Sequence, residues 1–346
     1  MTTVDVTRLV TGGVDHPPRR ERCGGTRSAR RAVRSSRVPD DACGPPFPRE
    51  FLASFGTLTR VGVEGTGSYG AGLSRYLRGS GVEVVEVDRP NRQSRRRTGK
   101  SDPVDAIEAA RAALSGRAQG AGKSRDGNVE AIRALVVAKR SGGSTKIQTL
   151  NQIRHLGFTA PEELRARLKG ISRQHLGAEA AALRPRAGGD PVVFATKTAL
   201  SLLGHRVLVL DAERERLNLL LGELVEKTAP QLLEIHGVGV DTAATLLVTA
   251  GDNPGRIRSE AVWAHLCGVA PIPASSGKVS RVRLDRGGDR QANSALWRVV
   301  ITRLRSAPRP QAYMERRLKE GRSKPEVIRA LKRYVAREVY QRLPRA

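Results

Sequence analysis

Four acidic residues are spaced so that they can hold metal ions for phosphodiester chemistry. Asp15 and Glu64 each end a stretch with strand character, TRLVTGGVD and TRVGVE. Asp102 and Asp105 are three residues apart at the start of a predicted helix, so they share one face. Four clustered carboxylates repel each other unless divalent cations neutralise them, and oxygen ligands favour Mg²⁺ or Mn²⁺. Two such ions can stabilise the attacking and leaving oxygens at a phosphodiester.

The elements that must position these acids alternate between strand and helix. Residues 66–78 are predicted as a helix, and residues 82–87 (VEVVEV) alternate as a strand does. Ser101-Asp102-Pro103 gives the next helix an N-cap and a proline in its first turn. This alternation predicts an α/β layer over residues 1–115. Taken singly, each acid also has an ordinary explanation, as a turn residue or as a favourable charge at a helix N-terminus.

Residues 16–50 do not fit this pattern. They contain nine Arg and six Pro without periodicity. Their length suits a β-hairpin and a helix, but we expect their composition to prevent one, because proline removes ladder donors and apolar positions are missing. A one-base shift over residues 20–25 can encode Val-Asn-Val-Ala-Ala, so we hypothesise that the segment is translated out of frame. A native Arg/Pro loop without regular structure is the alternative.

The chain is strongly basic, with 61 Lys and Arg against 34 Asp and Glu and a net charge of +27, which predicts a polyanionic partner. Aromatic residues make up only 3%, which argues against a platform for stacking single strands. Residues 89–100 lie between the acids and are basic throughout, so we expect them to contact nucleic-acid backbone. A solvated charged loop is the alternative. The cations of this stretch are Arg89, Arg92, Arg95, Arg96, Arg97 and Lys100.

Residues 116–228 are predicted as a helical linker. Apolar residues follow an a/d heptad between residues 203 and 224, with Arg214 in the one broken position, which predicts a short coiled coil. The alternative is an amphipathic helix buried within its own domain. The apolar heptad positions are Leu203, Val207, Leu210, Leu217, Leu221 and Leu224.

Residues 229–310 are predicted as a C-terminal helical domain. It begins with LLEIHGVGVDTAATLLVTA, which is typical of a helix-hairpin-helix around Gly237 and Gly239. Amides at the second helix N-terminus can bind a phosphate, while a plain turn between packed helices is the alternative. Residues 311–346 are predicted as a basic helical tail. From Arg303 onward the chain carries 14 Lys/Arg against 4 Asp/Glu, which suits docking on phosphates.

The stretch GVEGTGSYGAGLSRYLRGSGVEVVEVDRPNRQSRRRTGKSDPVDA closely resembles the first-domain signature of the DEDD transposases of the insertion-sequence 110 family. The resemblance runs unbroken over about residues 52–114 and is most specific in EGTGSYG and GKSDPVDA. It implies a RuvC-like, ribonuclease H-type fold, in which residues 16–50 replace the expected second and third strands. The metal-binding positions that it implies are Asp15, Glu64, Asp102 and Asp105.

The sequence AHLCGVAPIPASSGKVSRVRLDRGGDRQANSALWRVVITRL is similar to the other half of the family signature, a C-terminal transposase domain. The resemblance implies a serine that attacks a DNA phosphate and is transiently linked to the DNA, while the carboxylates complete the site across a domain or subunit boundary. Ser276, directly before Gly277, is the candidate nucleophile and Ser275 the alternative. A hydroxyl needs activation or stabilisation of departing charge, which nearby cations can supply. These cations are Lys278, Arg281, Arg283 and Arg286.

The resemblance implies transposition of an insertion sequence by DNA strand cleavage, exchange and rejoining. It also implies Mg²⁺ (or Mn²⁺), element and target DNA, a structured guide RNA, and assembly into homodimers and tetramers. Two other classes stay open: an inactive nucleic-acid-binding remnant of such a transposase, and a junction-resolving nuclease that uses only the four carboxylates. The first alternative predicts salt-sensitive binding to nucleic acid without a covalent protein–DNA adduct. The nuclease predicts metal-dependent nicking that survives Ser276→Ala.

The remaining composition indicates a cytoplasmic, nucleoid-associated protein. Three scattered cysteines provide no disulfide framework or zinc spacing. No run approaches the ~18 apolar residues of a membrane span, so none is expected. The histidines, including His265, lack ligand spacing, and we expect Trp263 and Trp297 to lie in the core.

Overall fold

The computed structural model describes residues 9–15, 22–27, 33–37, 53, 57–64, 66–67, 70–87, 102–116, 118, 120, 122–275 and 282–344. For residues 9–15, 22–27, 33–37 and 102–106, and for Glu64, Glu108 and Pro254, the description covers the backbone. The chain divides into two compact units, which are treated separately. The first comprises residues 1–127, 250–259 and 345–346, and the second comprises residues 128–249 and 260–344.

The first unit is built on a five-stranded mixed sheet. The strands are β1 (Leu9–Asp15), β2 (Arg22–Arg27), β3 (Val33–Arg37), β4 (Thr57–Glu64) and β5 (Glu83–Val87), in the spatial order β3-β2-β1-β4-β5. The pairs β1–β2 and β2–β3 are antiparallel, whereas β1–β4 and β4–β5 are parallel. The sequence-based strands that end at Asp15, Glu64 and Val87 are therefore confirmed.

The prediction that residues 16–50 cannot form a hairpin is wrong. β2 and β3 lie in this segment and pair with each other from Arg22↔Arg37 to Thr26↔Val33. All six prolines of the segment lie outside the two strands, so no ladder donor is lost. An antiparallel ladder is made by backbone groups, which every residue except proline supplies. The segment therefore provides the second and third strands, and they form without the shifted reading frame, which stays a hypothesis.

Two helices pack on this sheet. α1 (Ala71–Gly79) connects β4 to β5, starting later than the predicted residues 66–78, and α2 (Asp102–Leu114) packs on β1, β2 and β4. The core under α1 contains a cluster of apolar side chains, as expected for a layer that covers one sheet face. Its buried members are Val61, Val63, Leu73, Leu77, Val82 and Val84.

Residues 250–259, which we call the strap, complete the first unit by packing on residues 122–127. The side-chain amide of Asn253 donates to the carbonyl of Gly122 at 2.8 Å. A Cβ built on Gly127 would lie 2.3 Å from Asp252 Oδ1, so the two segments are in direct contact. Residues 122–127 therefore join the sheet unit to a stretch more than a hundred residues later in the chain.

The second unit begins with two long paired helices, α3 (Asn128–Thr159) and α6 (Pro191–Thr228). The short helices α4 (Glu162–Leu168) and α5 (Leu176–Ala181) lie between them in sequence and pack on the pair. Val207 of α6 shares a buried cluster with Ile153 of α3, and Leu210 contacts Gly142. The part of the predicted heptad that contains Val207 and Leu210 therefore faces α3 of the same chain. The short coiled coil and its alternative, a helix buried within its own domain, both stay predictions.

Several large apolar side chains of α6 are exposed. Leu202, Val209 and Leu219 are 66%, 57% and 70% exposed. In the described part of the chain, α6 is also the one helix with the length and apolar composition to cross a membrane, although core helices of soluble proteins pass that test too. α6 carries Asp211, which pairs with Lys146 of α3.

The rest of the second unit is a helical bundle that carries a small hairpin. Trp263 is fully buried as predicted, but Trp297 is 45% exposed, contrary to the prediction. Val335 and Val339 are buried, so the basic tail packs into the same core. The elements are α7 (Pro230–Leu233), α8 (Val240–Ala250), α9 (Glu260–Leu266), β6 (Ile272–Pro273), β7 (Val282–Arg283), α10 (Arg290–Ser306), α11 (Pro308–Lys319) and α12 (Lys324–Gln341).

Candidate active site

Asp15 and Glu64 end two neighbouring parallel strands at the same edge of the sheet. Val14 of β1 pairs with Val63 of β4, so the next residue on each strand is one of the two acids. Parallel strands point their carboxyl ends in the same direction, and open α/β sheets bind ligands beyond that edge. The backbone thus places these two acids side by side, as the sequence predicts.

The helix that carries the other two acids lies directly on β4. Asp102 is the first residue of α2 and Asp105 lies in its first turn. A Cβ built on Gly62 would lie 2.6 Å from the carbonyl oxygen of Ala109, so only glycine permits this close approach. Asp105 is one helical turn before that contact, and Glu64 is two residues after it. The convergence of Asp105 with Glu64 stays a prediction.

Several predicted site residues lie outside the described part of the structure. These residues are Arg89, Arg92, Arg95, Arg96, Arg97, Lys100, Ser276, Lys278 and Arg281. Among the described side chains, which do not include those of the four acids, no three His, Cys, Asp or Glu form a group that could hold a metal ion. The roles assigned to all of these residues stay predictions.

The serine-bearing segment is a hairpin that leaves the helical core between α9 and α10. We call residues 272–283 the serine hairpin, because its two strands, paired Ile272↔Arg283 and Pro273↔Val282, flank both candidate serines. Ser275 is exposed two residues after β6. Arg283 and Arg286 are exposed on the returning strand and just beyond it. The two arginines that the structure describes are thus near the serine in sequence and open to solvent.

The base of the serine hairpin is held by backbone contacts. The amide of Asp289 donates to the carbonyl of Leu266 at 2.7 Å. Gly268 ends α9 in a left-handed conformation, with φ of +63°, and the amide of Val269 donates to Ala264, as in a Schellman motif. Asp289 then caps α10 by accepting from the amides of Gln291 and Ala292. Both stems of the hairpin are therefore anchored to helix ends.

Asn293 of α10 is a second anchor of the serine hairpin. Its side-chain amide donates to the carbonyls of Cys267 and Gly268, at 3.1 and 2.8 Å. Its carbonyl oxygen accepts from the Nζ of Lys332 on α12 at 2.7 Å. Burial, followed by the nearby charge of Arg329, lowers the pKa of Lys332. Asn293 thus holds the stem of the serine hairpin.

His265, which lacks ligand spacing in the sequence, is exposed and pairs with Asp285. Its Nδ1 lies 3.0 Å from Asp285 Oδ2, while the other oxygen of Asp285 accepts from the amide of Gly287 at 3.0 Å. Asp285 has a side chain only 11% exposed, and it follows β7 by two residues. The pair ties the end of α9 to the outgoing stem of the hairpin. No local spacing could reveal it, because the partners are twenty residues apart.

The Gly-Val-Gly turn has a structural role at its first glycine. Gly237 has φ of +85°, and a Cβ there would lie 3.4 Å from Val299 of α10. Gly239 meets no atom within 4 Å at that position. The preceding helix α7 spans only Pro230–Leu233. Asp241 stands in the first turn of α8 and pairs with Lys139. Phosphate binding by the two glycines stays a prediction.

Two sequence models of one transposase group match opposite ends of the chain. Residues 23–156 match the DEDD transposase model of IS110 elements, and residues 229–315 match the Transposase IS116/IS110/IS902 family. The chain belongs to the IS110 family of transposases. The first matched range contains Glu64, Asp102 and Asp105 but begins after Asp15. The second contains both candidate serines and the base of the serine hairpin.

Two curated proteins show how far the IS110-family similarity extends. The chain is 30% identical over 134 residues to "Insertion element IS110 uncharacterized 43.6 kDa protein" of Streptomyces coelicolor, covering 38% of this chain and 33% of that protein. It is 27% identical over 139 residues to "Insertion element IS900 uncharacterized 42 kDa protein" of Mycobacterium paratuberculosis, covering 39% and 35%. The similarity thus spans about a third of the length of these relatives.

Proposed function

We propose that this chain is the DNA transposase of an insertion sequence, which cleaves, exchanges and rejoins DNA strands. The observation that carries the proposal is the presence of both halves of the IS110-family pattern in one chain. The position of Asp15 and Glu64 at one sheet edge supports it. The net charge of +27 suits a DNA partner.

The first unit supports a RuvC-like reading of residues 1–115. Three antiparallel strands are followed by two parallel strands added on the other side of β1, and α2 covers β1, β2 and β4. In the proposed assignment, Asp15, Glu64, Asp102 and Asp105 are the metal-binding residues. Carboxylate oxygens fit the hard cations Mg²⁺ and Mn²⁺. When bound, such ions would neutralise the four carboxylates and polarise the phosphodiester.

The proposed nucleophile is the hydroxyl of Ser276, with Ser275 as the alternative. Its Oγ forms a bond to phosphorus as one bond from phosphorus to a deoxyribose oxygen breaks, and the proton of the hydroxyl is passed on to the leaving oxygen. A DNA hydroxyl then attacks the phosphoserine, which restores the serine and joins the new strands. Arg283 and Arg286, which are exposed, would contact phosphate oxygens near the serine. The anchored hairpin base would hold the serine in place, as positioning requires.

The proposed transposase function also implies the binding partners of this chain. We infer element and target DNA as substrates, a structured guide RNA that supplies sequence specificity by base pairing, and action in the cytoplasm at the nucleoid. The basic stretch at residues 89–100 would contact backbone phosphates. The exposed apolar side chains of α6 support assembly into homodimers or tetramers, since exposed apolar surface is found at protein interfaces.

Recombination between two plasmids that carry the element with its flanking non-coding DNA tests this proposal. Ser276→Ala and Asp102→Asn should each lower recombination by at least about 1,000-fold, because removing a nucleophile or metal ligand costs that much or more. Ser276→Ala should also remove the denaturant-resistant protein–DNA adduct. Ser275→Ala is the matched control and should retain both signals.

Three results would contradict the proposal. Recombination at the wild-type level in Ser276→Ala would exclude that serine, and loss in Ser275→Ala instead would move the role to its neighbour. Metal-dependent nicking that survives Ser276→Ala but not Asp102→Asn would identify a junction-resolving nuclease. Salt-sensitive DNA binding by the wild type without nicking or adduct would identify an inactive remnant.

A further inference from the structure

A small cavity among the three C-terminal helices combines aromatic walls with an arginine rim. It measures about 210 Å³ and lies between α10, α11 and α12. This is smaller than the ~300–1,000 Å³ of pockets for drug-sized ligands, so it suits a single ring system. The lining residues are Val300, Arg303, Arg309, Pro310, Tyr313, Leu331, Tyr334 and Val335.

The two tyrosines give this cavity its shape. Tyr313 and Tyr334 meet edge to face, with ring centroids 5.8 Å apart and planes at 84°. Tyr334 is 53% exposed, so much of its ring is open to solvent. The guanidinium of Arg316 lies over the ring of Tyr313, 5.4 Å from its centroid. The chain has only five tyrosines in 346 residues, and two of them form this one feature.

The charges around the cavity favour an anionic ligand, and its aromatic walls favour a planar ring. Every ionisable lining residue other than the tyrosines is an arginine, and Arg309 is exposed at the rim. Arg303 is already bound to Glu338 and to the carbonyl of His236, so it shapes the wall. Burial, with a further contribution from Tyr334, raises the pKa of Tyr313.

We propose that this cavity, which we call the tyrosine pocket, binds one unpaired nucleobase of a nucleic acid, stacked on Tyr334 over the apolar floor while Arg309 contacts its phosphate. Aromatic side chains bind unpaired bases by stacking, and arginines bind the adjoining backbone. The inference rests on the proposed function, because it assumes a nucleic-acid partner. A low aromatic content excludes an extended stacking platform, but one pocket needs only one or two rings.

The test uses the full chain and fluorescein-labelled hairpins with an unpaired loop, one of DNA and one of RNA, with a fully paired duplex as the reference. Binding is measured by fluorescence anisotropy. Tyr334→Leu should weaken hairpin binding at least about fivefold, as loss of one base–aromatic stack does. Tyr334→Phe keeps the ring and should stay within about twofold of the wild type. Phe158→Leu, which removes an exposed aromatic ring of α3, is the matched control and should have no effect.

Hairpins with abasic loop positions test the wild-type protein itself. At least one abasic position should weaken binding by the same factor, and Tyr334→Leu should be insensitive to that change. If abasic positions weaken binding of the RNA hairpin, the bound base comes from RNA; if they weaken binding of the DNA hairpin, it comes from DNA. Weaker binding of both shows that the pocket accepts either. Equal binding of abasic and intact loops by the wild type would overturn the pocket, and so would equal weakening of hairpin and duplex by Tyr334→Leu. Absence of binding to every probe, duplex included, would instead overturn the proposed function.

Discussion

Gly288 lies directly against Gly268 at the base of the serine hairpin. A Cβ built on Gly288 would lie 2.1 Å from the nitrogen and 2.4 Å from the Cα of Gly268. Gly268 also has φ of +63°, which a side chain disfavours. The two stems of the hairpin are therefore joined by a contact between backbones, which makes both glycines sensitive to substitution.

Substitution of Gly288 by alanine should destabilise the second unit. The added methyl group must push the two stems apart, and overpacking of this kind costs about 1–3 kcal/mol or more. Gly287→Ala is the matched control, because its Cβ would meet only Asp285 Oδ1 at 3.5 Å, an ordinary contact. Urea denaturation compares the two variants, and equal stability would show that the contact is unimportant.

Asn293 and Lys332 should behave as one coupled pair. Asn293→Ala leaves Lys332 and two carbonyls without their partner, at about 1–3 kcal/mol for a buried group left unsatisfied. Lys332→Met removes the buried charge. The double variant should therefore be more stable than the sum of the single effects predicts, by about 0.5–3 kcal/mol. Unfolding free energies of the four proteins measure this coupling, and strict additivity would contradict it.

Gly62→Ala should separate α2 from β4. A methyl group 2.6 Å from the carbonyl of Ala109 cannot be accommodated in place, and we expect a loss of about 1–3 kcal/mol together with reduced recombination, since Asp102 and Asp105 move with α2. Gly72→Ala in α1, where no atom lies within 4 Å, should instead stabilise the helix by up to about 1 kcal/mol. Melting temperatures of the two variants test this contrast. A Gly62→Ala protein as stable and active as the wild type would refute it.

Stability should fall at alkaline pH through Cys267. Burial, with the charge of Asp289, raises the pKa of this thiol. Above the ordinary thiol pKa of about 8.5, the unfolded chain releases a proton that the folded chain keeps. The free energy of unfolding therefore decreases by up to about 1.4 kcal/mol per pH unit. The difference between the wild type and Cys267→Ala should shrink from about pH 8 to pH 10, and a constant difference would contradict this.

Local sequence signals identified the elements that carry the acids. The strand-like pattern of VEVVEV was sufficient for β5, and the stretches TRLVTGGVD and TRVGVE, each ending in an acid, were sufficient for β1 and β4. Ser101-Asp102-Pro103 marked the start of α2 to within one residue. The strands β2 and β3 were missed because the Arg- and Pro-rich composition of residues 16–50 was taken as evidence against a hairpin. The hydrogen bonds between paired strands depend on backbone groups, which nearly all residue types supply. The prolines that argued against them lie just outside both strands.

Contacts between distant residues were beyond the reach of such signals. The pairs Gly268 with Gly288 and His265 with Asp285 are twenty residues apart, and Lys332 is thirty-nine residues from Asn293. Periodicity reports which face of an element is apolar but not what covers it. For the same reason the heptad of α6 was recognised, while its partner, α3 of the same chain, was not.

The strap has a consequence for how the protein is made. Synthesis proceeds from the N-terminus, so the strands and helices of the sheet unit leave the ribosome well before Asn253 does. Until then the carbonyl of Gly122 has its donor from Arg78 of the sheet unit, at 3.4 Å, but lacks the side-chain amide of Asn253. The contacts between the strap and residues 122–127 therefore form only after the whole of α3 and α6 has been translated.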